Sequence, residues 1–217
     1  VVSKKTTYWI IGIAVTSLAF YYLFRNKMSK TQRQIVFQAD AEADKWRGYT
    51  ESNPAIGNII NQYWCDGLGY CSFTNSQVVE DGFNNQYPWS AAFVSWVMKA
   101  SGADSFPADA SHSNYIIETT INREVDPKSD FTAWALGEQK PEPSDIVCAN
   151  RGGSNATYGN VVSGMPLHCD IVTKVNTDTI EVVGGNINNR VERKTLNLNS
   201  DGFLSHDKYF TIIKNNT

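Results

Sequence analysis

Ser90, His168 and Asn186 are the side chains whose types and surroundings suit nucleophilic chemistry. Ser90 lies in Tyr87-Pro88-Trp89-Ser90-Ala91-Ala92-Phe93-Val94-Ser95-Trp96-Val97-Met98, which reads as an apolar helix opening on Pro-Trp-Ser. Its hydroxyl is therefore expected in the first turn, among N–H groups that lack intrahelical acceptors and at the positive end of the helix dipole. His168 begins an apolar strand, His168-Cys169-Asp170-Ile171-Val172, and Gly184-Gly185-Asn186 closes the next one. A histidine at a strand edge can reach a neighbouring helix start. An Asn side chain can accept from one ring nitrogen and leave the other free as a base. Nucleophile, base and orienter are then all available, as in a triad. Each residue also has a plainer reading: Ser90 as a helix-start residue, His168 as a half-buried histidine with its bonds satisfied, Asn186 as a turn residue. His112 is expected at another helix start, and His206 on the surface.

The elements that must position these groups fall into two halves. Helices are expected over Ser29–Tyr49, over Ala55–Trp64 with an end near Gly67, and over Pro88–Ala100, where Pro suits the first turn and Ser101-Gly102 the end. A further helix starts in Asp109-Ala110-Ser111-His112, with Ser111 or Asp109 as cap. Pro141-Glu142-Pro143-Ser144 turns into a strand over Asp145–Ala149, and Arg151–Met165 is a Gly-, Ser- and Asn-rich loop. Strands follow over Leu167–Val175, Thr179–Val183, Arg190–Leu196 and Tyr209–Ile213. Helices first and antiparallel strands later predict an α+β domain.

The 217 residues suffice for one domain with a core plus one appendage. A net charge of −3 excludes a general nucleic-acid binder. No cluster of residues points to a metal or a cofactor. Cys65 and Cys71 flank a short Gly-containing loop, where a disulfide and two free thiols are equally compatible with the sequence; Cys148 and Cys169 are expected as core thiols. Thr6–Phe24 is an uncharged, largely apolar run of 19 residues with aromatics at both ends, preceded by Lys4 and Lys5 and followed by Arg25 and Lys27. That pattern predicts a transmembrane anchor over residues 1–27 with a span at 6–24 in a lipid membrane, and a separate domain over 28–217. A cleaved signal peptide is the rival reading, but bulky aromatics close the run and no small-x-small site follows it.

Four segments, in order, resemble one superfamily. Pro88-Trp89-Ser90-Ala91-Ala92-Phe93-Val94-Ser95-Trp96 is similar to the nucleophile helix of CHAP and NlpC-type papain-fold domains, which cleave peptidoglycan. Pro143-Ser144-Asp145-Ile146-Val147 resembles their Pro-Gly-Asp strand start, His168-Cys169-Asp170-Ile171-Val172 their catalytic-histidine strand, and Gly184-Gly185-Asn186 the segment carrying their third polar residue. Within this group the chain resembles an uncharacterised bacterial and phage family with Pro-Trp-Ser-Ala-Ala-Phe and a downstream Ala-His-Ser-x-Tyr, here Ser111-His112-Ser113-Asn114-Tyr115.

The resemblance implies a papain-like fold with Ser90 as nucleophile, His168 as general base and Asn186 as orienter. Trp89, His112 and Asp170 would line the substrate groove; His112 is alternatively a second base, and Asp170 an alternative polar partner for His168. Peptidoglycan is the implied partner, cut by an amidase or endopeptidase. With the anchor, the expected location is a single-pass membrane protein of a bacterial envelope or of a virion with an internal membrane. The departure is Ser90, where the similar domains carry cysteine. A hydroxyl is far less acidic than a thiol and needs full base assistance. The natural serine therefore fits a serine hydrolase, or a wall-binding or structural protein that no longer cuts. A serine esterase would carry a Gly-x-Ser-x-Gly elbow, which is absent here.

Overall fold

The computed structural model describes residues 27–217. Helix α1 (Lys30–Lys45) starts at Ser29 in a capping box: Ser29 Oγ accepts from Gln32 N at 3.0 Å, and Gln32 Oε1 accepts from Ser29 N at 2.9 Å. Ser29→Ala is expected to lower stability by about 1 kcal/mol, read as a lower urea midpoint with an unchanged slope. A 3₁₀ turn at Pro54–Ile56 leads into α2 (Gly57–Leu68); α3 (Asp81–Gln86), α4 (Ser90–Ala100) and α5 (His112–Val125) complete the helical half. The strands are β1 (Phe131–Ala135), β2 (Ile146–Asn150), β3 (Leu167–Val175), β4 (Thr179–Ile187), β5 (Arg190–Asn197) and β6 (Tyr209–Asn215). They form one antiparallel sheet in the order β1-β6-β2-β3-β4-β5.

One face of the sheet packs on the helices, where Cys148, Cys169, Ile171, Val183 and Ile213 join the aromatic and aliphatic side chains of α1, α2, α4 and α5. The other face holds a smaller core of Val147, Val172, Val182, Leu196, Tyr209 and Ile212. Helix α4 is buried from Ser90 through Met98, between α1 and α2 on one side and β3 and β4 on the other. That burial explains its nearly unbroken apolar sequence. Gly185 makes the close approach possible: a Cβ there would lie 2.7 Å from Phe93 Cβ.

The residue preceding Ser90 is anchored hard. Trp89 is fully buried, stacks on Trp46 at 4.9 Å between centroids, and donates its Nε1–H to Glu51 Oε2 at 2.6 Å. Trp46 in turn donates to Tyr63 OH at 2.9 Å, and Tyr63 donates to the buried carboxylate of Glu42. Each ring thus satisfies its polar handle. Truncating a buried ring of this size costs about 3–5 kcal/mol, so the backbone entering α4 has little freedom.

Two expectations require correction. The transmembrane helix expected at 6–24 lies outside the described residues, as does its 1–27 anchor except Lys27. Among the described residues no helix is long and apolar enough to cross a membrane. The described residues are therefore α+β with a six-stranded antiparallel sheet, no membrane-crossing helix is among them, and the single-pass membrane location is withdrawn. Cys148 and Cys169 are not core thiols: they are buried as expected but form a disulfide across paired positions of β2 and β3, with Cα atoms 4.1 Å apart. Cys65 and Cys71 are also bridged. Strand β1 lies in a segment whose sequence carried no strand expectation, and it adds a sixth strand, at one edge of the sheet, to the five expected.

Candidate active site

Three element starts meet at one end of the sheet, those of α4, α5 and β3, and each brings one polar side chain. Ser90 is the first residue of α4, and no side chain caps that helix. Its first N–H groups therefore remain available to an oxygen ligand, with the helix dipole behind them. Ser90 is 3 % exposed, and its Oγ lies 2.7 Å from Nε2 of His112, the first residue of α5. On the other side of the ring, His112 Nδ1 is hydrogen-bonded to the phenol of Tyr115, one helical turn later and fully buried. The Ser–imidazole–phenol line is thus built from one helix start and one i, i+3 pair.

Burial holds His112 well below the usual histidine range, and the neighbouring His168 and Arg151 add to the effect; Asp170 alone pulls upward to a notable degree. The ring is accordingly neutral at neutral pH, with one nitrogen free to accept. Burial and the nearby carboxylates of Asp170 and Asp109 raise the Tyr115 phenol well above its ordinary value, so it keeps its proton.

His168 and Asp170 sit two residues apart on β3 and so share a face. Asp170 Oδ1 lies 2.9 Å from His168 Nε2, while Oδ2 accepts from Lys194 Nζ at 2.8 Å and from Tyr209 OH at 2.7 Å. Burial alone would raise the Asp170 carboxyl, but the charges and hydrogen bonds of His168 and Lys194 outweigh it and hold the group well below the usual carboxylate range. The imidazoles of His112 and His168 meet edge to face, 5.5 Å between centroids. Gly184 on β4 leaves the space this pair occupies: a Cβ there would fall 2.0 Å from Asp170 Oδ1 and 3.0 Å from His168 Nε2.

The structure brings the expected site residues together with different partners from those the resemblance implies. Ser90 is bonded to His112 rather than His168. His168 is bonded to Asp170, and among the described residues no hydrogen bond joins it to Asn186. Asn186 has a left-handed backbone, φ 56°, beside a register shift in β4, and lines a cavity with His168. Trp89 is fully buried and offers no face to a substrate; it positions Ser90. Asp170 is likewise fully buried, behind His168. The Ser144-Asp145 turn places Ser144 at φ 81°, where the similar domains have glycine, and buries Asp145 against Lys214 and the backbone N–H of Asn215. Burial pushes the Asp145 carboxyl up to about 6 in spite of Lys214.

The sequence marked Tyr115 as a core or groove aromatic but not as the partner of His112, and it missed Glu51, Lys194 and Tyr209. Tyr115 had a usable signal, its i, i+3 spacing from His112 on an expected helix. The others come from distant parts of the chain, and nothing local marks them. The long loop after β2 is fastened over α5, with Gly164 N donating to Ser113 Oγ at 3.0 Å and Ser163 Oγ to Asn114 Oδ1 at 2.7 Å. Among the described residues, no group of three or more His, Cys, Asp or Glu side chains is arranged to hold a metal ion.

A family model described as an uncharacterised protein conserved in bacteria, DUF2272, matches residues 38–215. No curated protein and no solved structure matches the chain. The match runs from α1 to the end of β6 and includes every site residue above, so the chain belongs to this uncharacterised family conserved in bacteria, DUF2272.

Proposed function

We propose that the protein is a peptidoglycan hydrolase, an amidase or endopeptidase, with Ser90 as nucleophile and His112 as the base in direct contact with it. The observation that carries this reading is the buried 2.7 Å contact between Ser90 Oγ and His112 Nε2 at an uncapped helix start. Ser90 Oγ attacks the carbonyl carbon of an amide while its proton passes to His112 Nε2. The oxyanion is received by the free N–H groups at the start of α4. Collapse of the tetrahedral adduct expels the amine, which takes the proton from Nε2, and water then hydrolyses the acyl-serine by the same path. Tyr115 fills the orienter's place on Nδ1, and the buried Asp170 carboxylate favours the transient imidazolium through space. His168, held from behind by the buried Asp170, stands on the cavity wall edge-on to His112. The substrate class is supported by the order of the four motifs that resemble peptidoglycan-cleaving domains.

The second reading, a wall-binding or structural protein that does not cut, is favoured by one observation, the serine at a position where similar domains carry cysteine. Digestion of purified peptidoglycan by the full chain separates the two. Native protein is expected to release soluble fragments, and Ser90→Ala to abolish the release. Silence from the native protein together with release by Ser90→Cys would mean an intact site lacking a competent nucleophile. Silence from all three folded proteins would remove the hydrolase reading.

A further inference from the structure

A cavity of about 340 Å³ opens beside His168, and its wall carries Arg151, Asn186, Lys194, His206 and Lys208. Among the described residues no Asp or Glu lines it. Lys194 is committed to Asp170 at 2.8 Å, and that buried carboxylate is matched by Lys194 and His168. Arg151 and Lys208 differ: among the described residues neither side chain has an ion-pair or hydrogen-bond partner, although both face the cavity. The cavity therefore carries net positive charge that nothing on its wall offsets.

The support beneath Arg151 is rigid. Its N–H is held by Pro166 O and Ser154 Oγ, and the preceding Asn150 side chain closes the loop through both directions of bonding with Ala156, at 2.6 and 3.0 Å. The cavity also adjoins the reacting groups. His168 belongs to its wall and touches the His112 ring that holds Ser90. From these observations we propose that the cavity is a subsite for a carboxylate of the substrate's peptide, gripped by Arg151 and Lys208 close to the bond being cut. The guanidinium fork matches a carboxylate in two parallel bonds, and the volume suits one or two amino-acid units rather than a glycan chain. The inference rests on the peptidoglycan reading above, whose stem peptides carry free carboxylates.

Binding tests it apart from turnover. Full-chain Ser90→Ala protein is titrated calorimetrically with a muramyl tripeptide ending in a free carboxylate and with the same peptide ending in an amide. The acid form is expected to bind about tenfold more tightly, in line with charge-assisted bonds, and the preference is expected to fall as salt rises. Arg151→Gln combined with Lys208→Gln is expected to remove the preference, and Arg151→Lys to restore part of it. Equal affinity for the two peptides, no binding of either, or a preference that survives the double variant would overturn the proposal. Inorganic phosphate competing as strongly as the acid peptide would overturn the assignment to a carboxylate. A protein that prefers the acid peptide but never cuts walls overturns the hydrolase reading alone; one that cuts walls without this preference overturns the subsite alone.

Discussion

His112→Ala is expected to lower peptidoglycan turnover about 10³-fold or more, with the loss in kcat and little change in KM. The hydroxyl of Ser90 is not acidic enough to attack without a base, and His112 Nε2 is the group bonded to it. Removing the ring takes away the nitrogen bonded to Ser90 Oγ while leaving the helix start and the cavity in place. His168→Ala is expected to cost less, about 10- to 100-fold, and to raise KM, because His168 lines the cavity. The opposite ranking, measured on variants with native circular dichroism, would return the base to His168. The pH profile adds an independent readout. Protonating His112 removes the acceptor, and burial holds that protonation well below the ordinary histidine range. The acid limb of kcat is therefore expected clearly below about pH 6.5, the value of a free histidine. The same shift acts on stability with a defined sign. As pH falls through about 6.5 the unfolded chain takes up a proton at His112 that the folded chain refuses, so this site lowers stability toward acid, and His112→Gln should flatten that part of the curve.

What could be read in the chain beforehand divides along a physical line. Within an element, local chemistry sufficed: Pro-Trp-Ser before an apolar run marked the start of α4, Ser29 marked the start of α1, and an apolar run marked β3 from Leu167 to Val175. Strand β1 escaped because Phe131–Ala135 is five residues with two alanines, and its burial comes from pairing with β6, which is remote in sequence. The Cys148–Cys169 bridge escaped for a related reason. Each cysteine was legible as a strand residue, but their bonding depends on the register of β2 against β3, and the loop between those strands does not set it. The site shows the same division. Ser90 at a helix start and His168 at a strand start follow from local pattern, and the shared face of His168 and Asp170 follows from a spacing of two. The partner of Ser90 depends on how α5 is docked beside α4, which no spacing along the chain encodes. The Gly184-Gly185-Asn186 segment was legible as important, but its glycines supply the room around Asp170 and Phe93.

That room can be tested directly. Gly184→Ala is expected to cost about 3 kcal/mol of stability and to lower turnover at least about 100-fold. The added Cβ would stand 2.0 Å from Asp170 Oδ1 and 2.7 Å from Ile187 Cδ1, so both must give way or the strand must shift. Asp170 has nowhere to go without breaking a bond: His168, Lys194 and Tyr209 all hold it, and it is fully buried. Displacing it separates a buried charge from its partners, which is the expensive way to disturb an ion pair. It also turns the His168 ring, which stands edge-on to His112. Asn186→Gly is the matched control on the same strand. Asn186 already has φ 56°, a conformation glycine adopts without a Cβ penalty, so stability should stay within about 1 kcal/mol of native. Turnover should stay within a few-fold if Asn186 is not the orienter. Denaturant midpoints and wall digestion on both variants decide between the two roles of this segment. A stable, inactive Asn186→Gly beside an active Gly184→Ala would make the amide the functional group and the glycine incidental. The reverse pattern would mean that β4 serves the site by leaving the Asp170 carboxylate its space.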